Sequence, residues 1–132
     1  MFLLRALSRL PFPVLFLLSD LLFFLAYHIV RYRRWVVYRN IHNSFPDMSE
    51  SEMLKIERVF YRNLCDYIVE TLKLLTITPE ELKRRMFYKN PEVIQQCKDE
   101  NTSALFLASH QFNWEWMIAA ANLWLPVAVD FV

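Results

Sequence analysis

The chain has no glycine in its 132 residues, where average usage of roughly 7% would supply several. Any turn that needs φ > 0 is therefore left to Asn or Asp, or avoided. Cysteine is scarce. Cys65 and Cys97 stand far apart, match no metal or redox spacing, and predict two reduced thiols in a cytosol-facing protein. His28, His42 and His110 do not cluster, so no metal is expected. Excess charge is missing too: the net value of +1 gives nucleic acid no footing. No internal repeat or low-complexity linker is visible.

Apolar residues are what the chain has in excess, 55% hydrophobic and 16% aromatic, both high for a soluble domain. Residues 12–30 read FPVLFLLSDLLFFLAYHIV with one formal charge, Asp20. At about 1.5 Å per residue that run is long enough to cross a hydrocarbon core. Pro11 and Pro13 suit the start of a helix, and Arg31, Arg33, Arg34 and Arg39 follow. A cleavable signal predicts a shorter apolar region and a small-residue cleavage site. Two membrane arrangements are open: a spanning anchor over residues 1–34, or a helix lying in the interface with Asp20 and His28 on its wetter face. The arginine flank fits a cytoplasmic side beside anionic lipid.

Residues 35–45 predict a helix ending before Pro46. Ser49 and Glu52 form a capping box that opens a long amphipathic helix. Met53, Ile56, Phe60, Leu64, Tyr67, Ile68, Thr71, Leu72 and Leu75 make its expected apolar face. Lys55, Arg58, Arg62, Asp66, Glu70 and Lys73 make its expected solvated stripe. Thr78-Pro79-Glu80-Glu81 starts a short helix, residues 91–98 another, and Asn101 is the candidate for a left-handed position.

The run 103–109, SALFLAS, then has the pattern of a strand buried on both faces. Asn113 can cap a helix to about Leu123, and 127–132 reads as a second strand. The expected fold class is therefore α/β: an anchor helix and a helical segment leading into a βαβ unit. Such a sheet needs more strands to cover its edges, so residues 35–132 are expected to be the N-terminal part of a truncated domain.

His110 follows the expected strand, at the sheet edge where catalysis gathers. Glu115 lies five residues on, in the first turn of the next helix. An imidazole with a pKa near 7 can act as a general base, with the carboxylate fixing its tautomer and stabilising the imidazolium. The plainer alternative is a structural loop histidine beside a carboxylate favoured by the helix dipole. Asn113 is a natural cap, and Trp114, Trp116 and Trp124 suit packing or an interface.

Ala108-Ser109-His110-Gln111-Phe112-Asn113-Trp114-Glu115 resembles the histidine–four residues–acid block of the lysophospholipid acyltransferase superfamily. More narrowly, the chain is similar to the lipid A biosynthesis lauroyl/myristoyl acyltransferases. Arg39-Asn40-Ile41, Ser44-Phe45-Pro46, Tyr61-Arg62-Asn63-Leu64 and Glu70 carry the likeness upstream. Phe112 departs from it, standing where glycine is usual, and the family's later blocks have no counterpart. The resemblance implies transfer of a fatty acyl chain from acyl carrier protein or acyl-CoA to a hydroxyl of a lipid A precursor, with no further cofactor. It implies His110 as general base, Glu115 as its partner, and Asn113 and Trp114 as loop-shaping residues. It places the reaction at the inner membrane, facing the cytoplasm. Two rivals remain: a non-catalytic membrane module, and a same-fold enzyme acting on another glycolipid or a glycerolipid.

Overall fold

The computed structural model describes residues 2–109 and 113–126. It begins with a short helix α1 (Phe2–Ser8), then α2 (Phe12–Phe23), which continues without a break into a π-helical segment, Phe24–Ile29. Pro13 lies in the first turn of α2, where its missing N–H costs nothing. Together they form one continuous apolar rod, long and apolar enough to cross a membrane.

Helix α3 (Arg34–Ser44) follows a tight loop, and α4 (Glu50–Lys73) is the longest element. Its capping box forms as the sequence requires: Ser49 N–H donates to Glu52 Oε2 at 3.1 Å. Helix α5 (Pro79–Arg85) starts at Thr78, whose Oγ1 accepts from Glu81 N–H at 3.2 Å. Helices α6 (Glu92–Asp99) and α7 (Trp114–Trp124) complete the described elements.

Two seams hold these helices together. Leu15, Ser19, Phe23 and Tyr27 recur every fourth residue and are buried. On α4 the matching stripe is Met53, Glu57, Tyr61, Cys65 and Val69, also every fourth residue. The helices run antiparallel. Lys73 Nζ donates to Ser8 O and Leu10 O at one end, Ser19 Oγ donates to Asp66 Oδ1 at 2.6 Å further along, and Arg34 Nε meets Glu57 Oε1 at 2.6 Å at the other end. The second seam joins α7 to α5 through Trp116, Ala120 and Leu82, with Leu74, Ile77, Met86 and Tyr88 around them.

The structure corrects several expectations. The βαβ unit is not there: among the described residues no strand forms, and the fold is helical. Residues 103–109 have no regular structure, and Leu105 and Leu107 are 87% and 91% exposed rather than buried on both faces. A buried strand exists only by pairing with neighbours, and a short apolar run contains no information about them. The second expected strand, 127–132, lies outside the described residues.

The expected apolar face of α4 is buried only in part: Met53 is buried and Leu64, Tyr67, Thr71 and Leu72 are half-buried. Ile56, Phe60, Ile68 and Leu75 are exposed, while Glu57 is 1% exposed because Arg34 neutralises it. Of the stripe expected to be solvated, Lys55, Arg58 and Arg62 are exposed, and the stripe also supplies polar bonds between elements. Asp66, Glu70 and Lys73 hydrogen-bond to other elements, and Arg62 Nη1 meets Asp20 Oδ1 at 2.9 Å.

Without glycine, the left-handed positions fall to Asn101 (φ 51°), as expected, and to Arg31 (φ 51°) and Arg33 (φ 52°), which were not. Arginine carries no side-chain preference for that region. The loop accepts the cost because Arg34 must turn back onto Glu57 and the Tyr27 ring, 4.3 Å from its guanidinium carbon.

Candidate functional site

The start of α7 is fixed from two directions. Asn113 caps the helix, its Oδ1 accepting from Trp116 N–H at 3.2 Å. Its Nδ2 donates to Glu70 Oε2 on α4 at 2.6 Å. The Trp116 indole, buried and edge-on to Phe12 with ring centres 5.9 Å apart, donates Nε1–H to the Glu70 backbone oxygen at 3.0 Å. One residue of α4 thus holds both the cap and the first turn of α7.

That first turn contains Glu115. The Tyr67 hydroxyl on α4 donates to Glu115 Oε1. The second carboxylate oxygen, Oε2, is buried and has no hydrogen-bond partner among the described residues. A buried carboxylate oxygen without a donor costs on the order of 1–3 kcal/mol, and more when charged. Such an atom calls for a partner.

Two cavities flank this arrangement. One of about 410 Å³ is lined by Phe60, Leu64, Asp66, Tyr67, Glu70 and Trp114, among others. The other, about 350 Å³, lies on the far side of Glu70, Asn113 and Trp114, where Phe12, Arg85 and Ser109 join its wall. Trp114 borders both.

The electrostatics follow from burial and bonding. Burial pushes the Glu70 carboxyl above its usual range, and the Asn113 amide and the Arg85 charge oppose that shift. The Tyr67 phenol is held above its ordinary value mainly because it donates to the Glu115 carboxylate. Asp66, which accepts from Ser19, and Glu70 both line the larger cavity. Among the described residues no three His, Cys, Asp or Glu side chains gather in a way that could hold a metal ion.

Of the residues expected from sequence, Asn113, Trp114 and Glu115 lie together at the start of α7. His110 lies outside the described residues. Sequence reasoning gave Tyr67 to the apolar face and Glu70 to the solvated stripe, so neither was assigned to the site. Their spacing of three on one helix was the available signal, since it places both on one side of α4.

The first turn of α7 thus holds a half-buried carboxylate steadied by a phenol, next to residues that line two cavities. The sequence matches that of the bacterial lipid A biosynthesis acyltransferases over residues 1–123, and the chain belongs to that family. It is therefore of an acyltransferase class whose substrates are lipids. No curated protein and no solved structure matches the chain.

Proposed function

We propose that this chain takes part in moving a fatty acyl group from acyl carrier protein or acyl-CoA to a hydroxyl of a lipid A precursor. His110 is the general base and Glu115 its partner. The imidazole removes the acceptor's hydroxyl proton as that oxygen attacks the thioester carbonyl. The tetrahedral adduct collapses to the ester, and the departing thiolate takes the proton from the imidazolium. Glu115 accepts the other ring N–H and stabilises the imidazolium between those two transfers. The observation that carries this reading is the buried Oε2 of Glu115, which has no partner among the described residues and belongs to a residue five positions after His110 in sequence. Asn113 and Trp114 shape the turn between them.

Lipid contact belongs to the same reading, with residues 1–34 as the membrane-contacting part and 35–132 as part of the acyltransferase domain. Of the two arrangements open from sequence, the packing supports the helix that lies in the interface. One side of α2 is bonded along α4, which carries Arg58, Arg62, Asp66 and Glu70. Taking α2 across the bilayer would draw those charges into hydrocarbon, at roughly 2.5–3.5 kcal/mol each on insertion scales. The other side of the rod exposes Val14, Leu17, Leu21, Phe24 and Leu25, an apolar face suited to lipid beside the arginines that follow it. The cytoplasmic leaflet of the inner membrane is the proposed location.

The test is acyl transfer from labelled acyl carrier protein to a lipid A precursor, comparing the parent with His110→Ala. A loss of roughly 10²–10⁴-fold is expected, the worth of a general base. Activity unchanged by the substitution removes His110 from the mechanism.

A further inference from the structure

The contact between Tyr67 and Glu115 joins residues 48 apart in sequence and has no part in the acid–base scheme above. Tyr67 lies on α4 and reaches the first turn of α7 with its hydroxyl. A carboxylate at a helix start has several rotamers open to it. A single donor on one oxygen selects among them and directs the other oxygen elsewhere. Here that other oxygen is the buried Oε2, unpartnered among the described residues.

The chemical type of the donor matters as much as its position. Lysine or arginine would neutralise the carboxylate and weaken its hold on an imidazolium. A phenol is neutral, so it shares the negative charge without cancelling it. Among the described residues, the charged groups that line the cavities at this end of α7 are Asp66 and Glu70 on α4 and Arg85 at the end of α5, with Lys73 further along α4 bonded to Ser8 O and Leu10 O. Asp66 and Glu70 line the larger cavity with Tyr67, Arg85 lines the smaller one with Glu70, and Lys73 sits 5.4 Å from the Phe12 ring centre. Both signs are present, and the phenol is the group that touches Glu115 directly.

We infer that Tyr67 is a positioning residue: it holds one oxygen of Glu115, so fixing the rotamer of the carboxylate, and by sharing the charge sets how tightly the proposed His110–Glu115 pair keeps a proton. This rests on the His110–Glu115 reading above. Without the hydroxyl, the carboxylate charge is less shared, and the pair holds its proton to a higher pH. A base that stays protonated is a poorer base at neutral pH.

The experiment compares the parent chain, Tyr67→Phe and Glu115→Gln, all in a His28→Gln, His42→Gln background. The imidazole of His110 is then the only one left to titrate. Its titration is followed by nitrogen NMR in detergent, which needs no turnover, and the pH profile of kcat/KM is recorded beside it. Glu115→Gln is expected to lower the imidazole pKa by about one unit. Tyr67→Phe is expected to raise it by about half a unit, move the acid limb of the profile the same way, and lower kcat/KM about tenfold near neutrality. If Glu115→Gln leaves the imidazole unmoved, the His110–Glu115 pair itself falls. If it lowers the pKa while Tyr67→Phe leaves it unchanged or lowers it, the pair stands and the role of Tyr67 is overturned.

Discussion

At the scale of single residues, the most demanding position is Glu57, 1% exposed beneath the loop that follows the apolar rod. Arg34 reaches it with Nε at 2.6 Å and Nη2 at 3.2 Å, a forked contact, and its own pKa is raised chiefly by that bond. Removing one partner of a buried pair leaves the other uncompensated. Arg34 is 30% exposed, which moderates the cost. Arg34→Met is expected to destabilise the chain by roughly 2–3 kcal/mol, and Arg34→Met with Glu57→Leu to recover most of that loss, both by urea unfolding in detergent. A double variant no better than the single one would show that the pair is not the stabilising unit.

Glu70 gives a second expectation at this scale. Its folded-state pKa is raised, mainly by burial, so the folded chain binds a proton that the unfolded chain has already released. Its contribution is complete below the unfolded carboxyl range and is lost as pH rises through the folded value. Glu70→Gln keeps an oxygen for the Asn113 amide but cannot ionise. It should flatten that decline and be at least as stable as the parent at pH 7, measured as unfolding midpoint against pH.

Among the elements, the helix ends were the most legible part of the sequence. Ser49 with Glu52, Thr78 before Pro79, and Asn113 each mark a start that the structure confirms. Caps act over three or four residues, so the sequence contains the whole interaction. Faces were less legible. Apolar residues encircle much of α4, and which stripe is buried depends on α2, about forty residues earlier. The seam uses every fourth residue on both helices, including a serine and a glutamate that no hydrophobic count would select. At the candidate site, the Asn113 cap and the first-turn position of Glu115 were legible because both are local. Tyr67 and Glu70 were not, because their partners on α7 are distant in sequence. Asn113→Ala should cost about 1 kcal/mol through the lost cap. It should also lower activity by loosening the first turn that carries Glu115; thermal unfolding and acyl transfer measured together would check both effects.

For the molecule as a whole, the error lay in reading 103–109 as a strand. Sheets are made by partners remote in sequence, and an apolar run shows only that something must cover it. The proposed lie of the rod on the bilayer makes a simple topological prediction. In a Cys97→Ser background, Arg9→Cys and Arg39→Cys should react with a membrane-impermeant maleimide from the same side, since both ends of an interfacial helix face one compartment. Buried Cys65 stays silent in that assay. Labelling from opposite sides would restore the spanning arrangement.

The antiparallel pairing of α2 with α4 also has a consequence in time. Ser19 and Asp66, which bond across it, are 47 residues apart, and a ribosome adds about 5–20 residues per second. For about 2–9 s during translation, then, the rod has no completed helix to lie against. In the proposed interfacial arrangement the bilayer is an apolar surface open to one side of the rod during that interval, before α4 is there to cover the other.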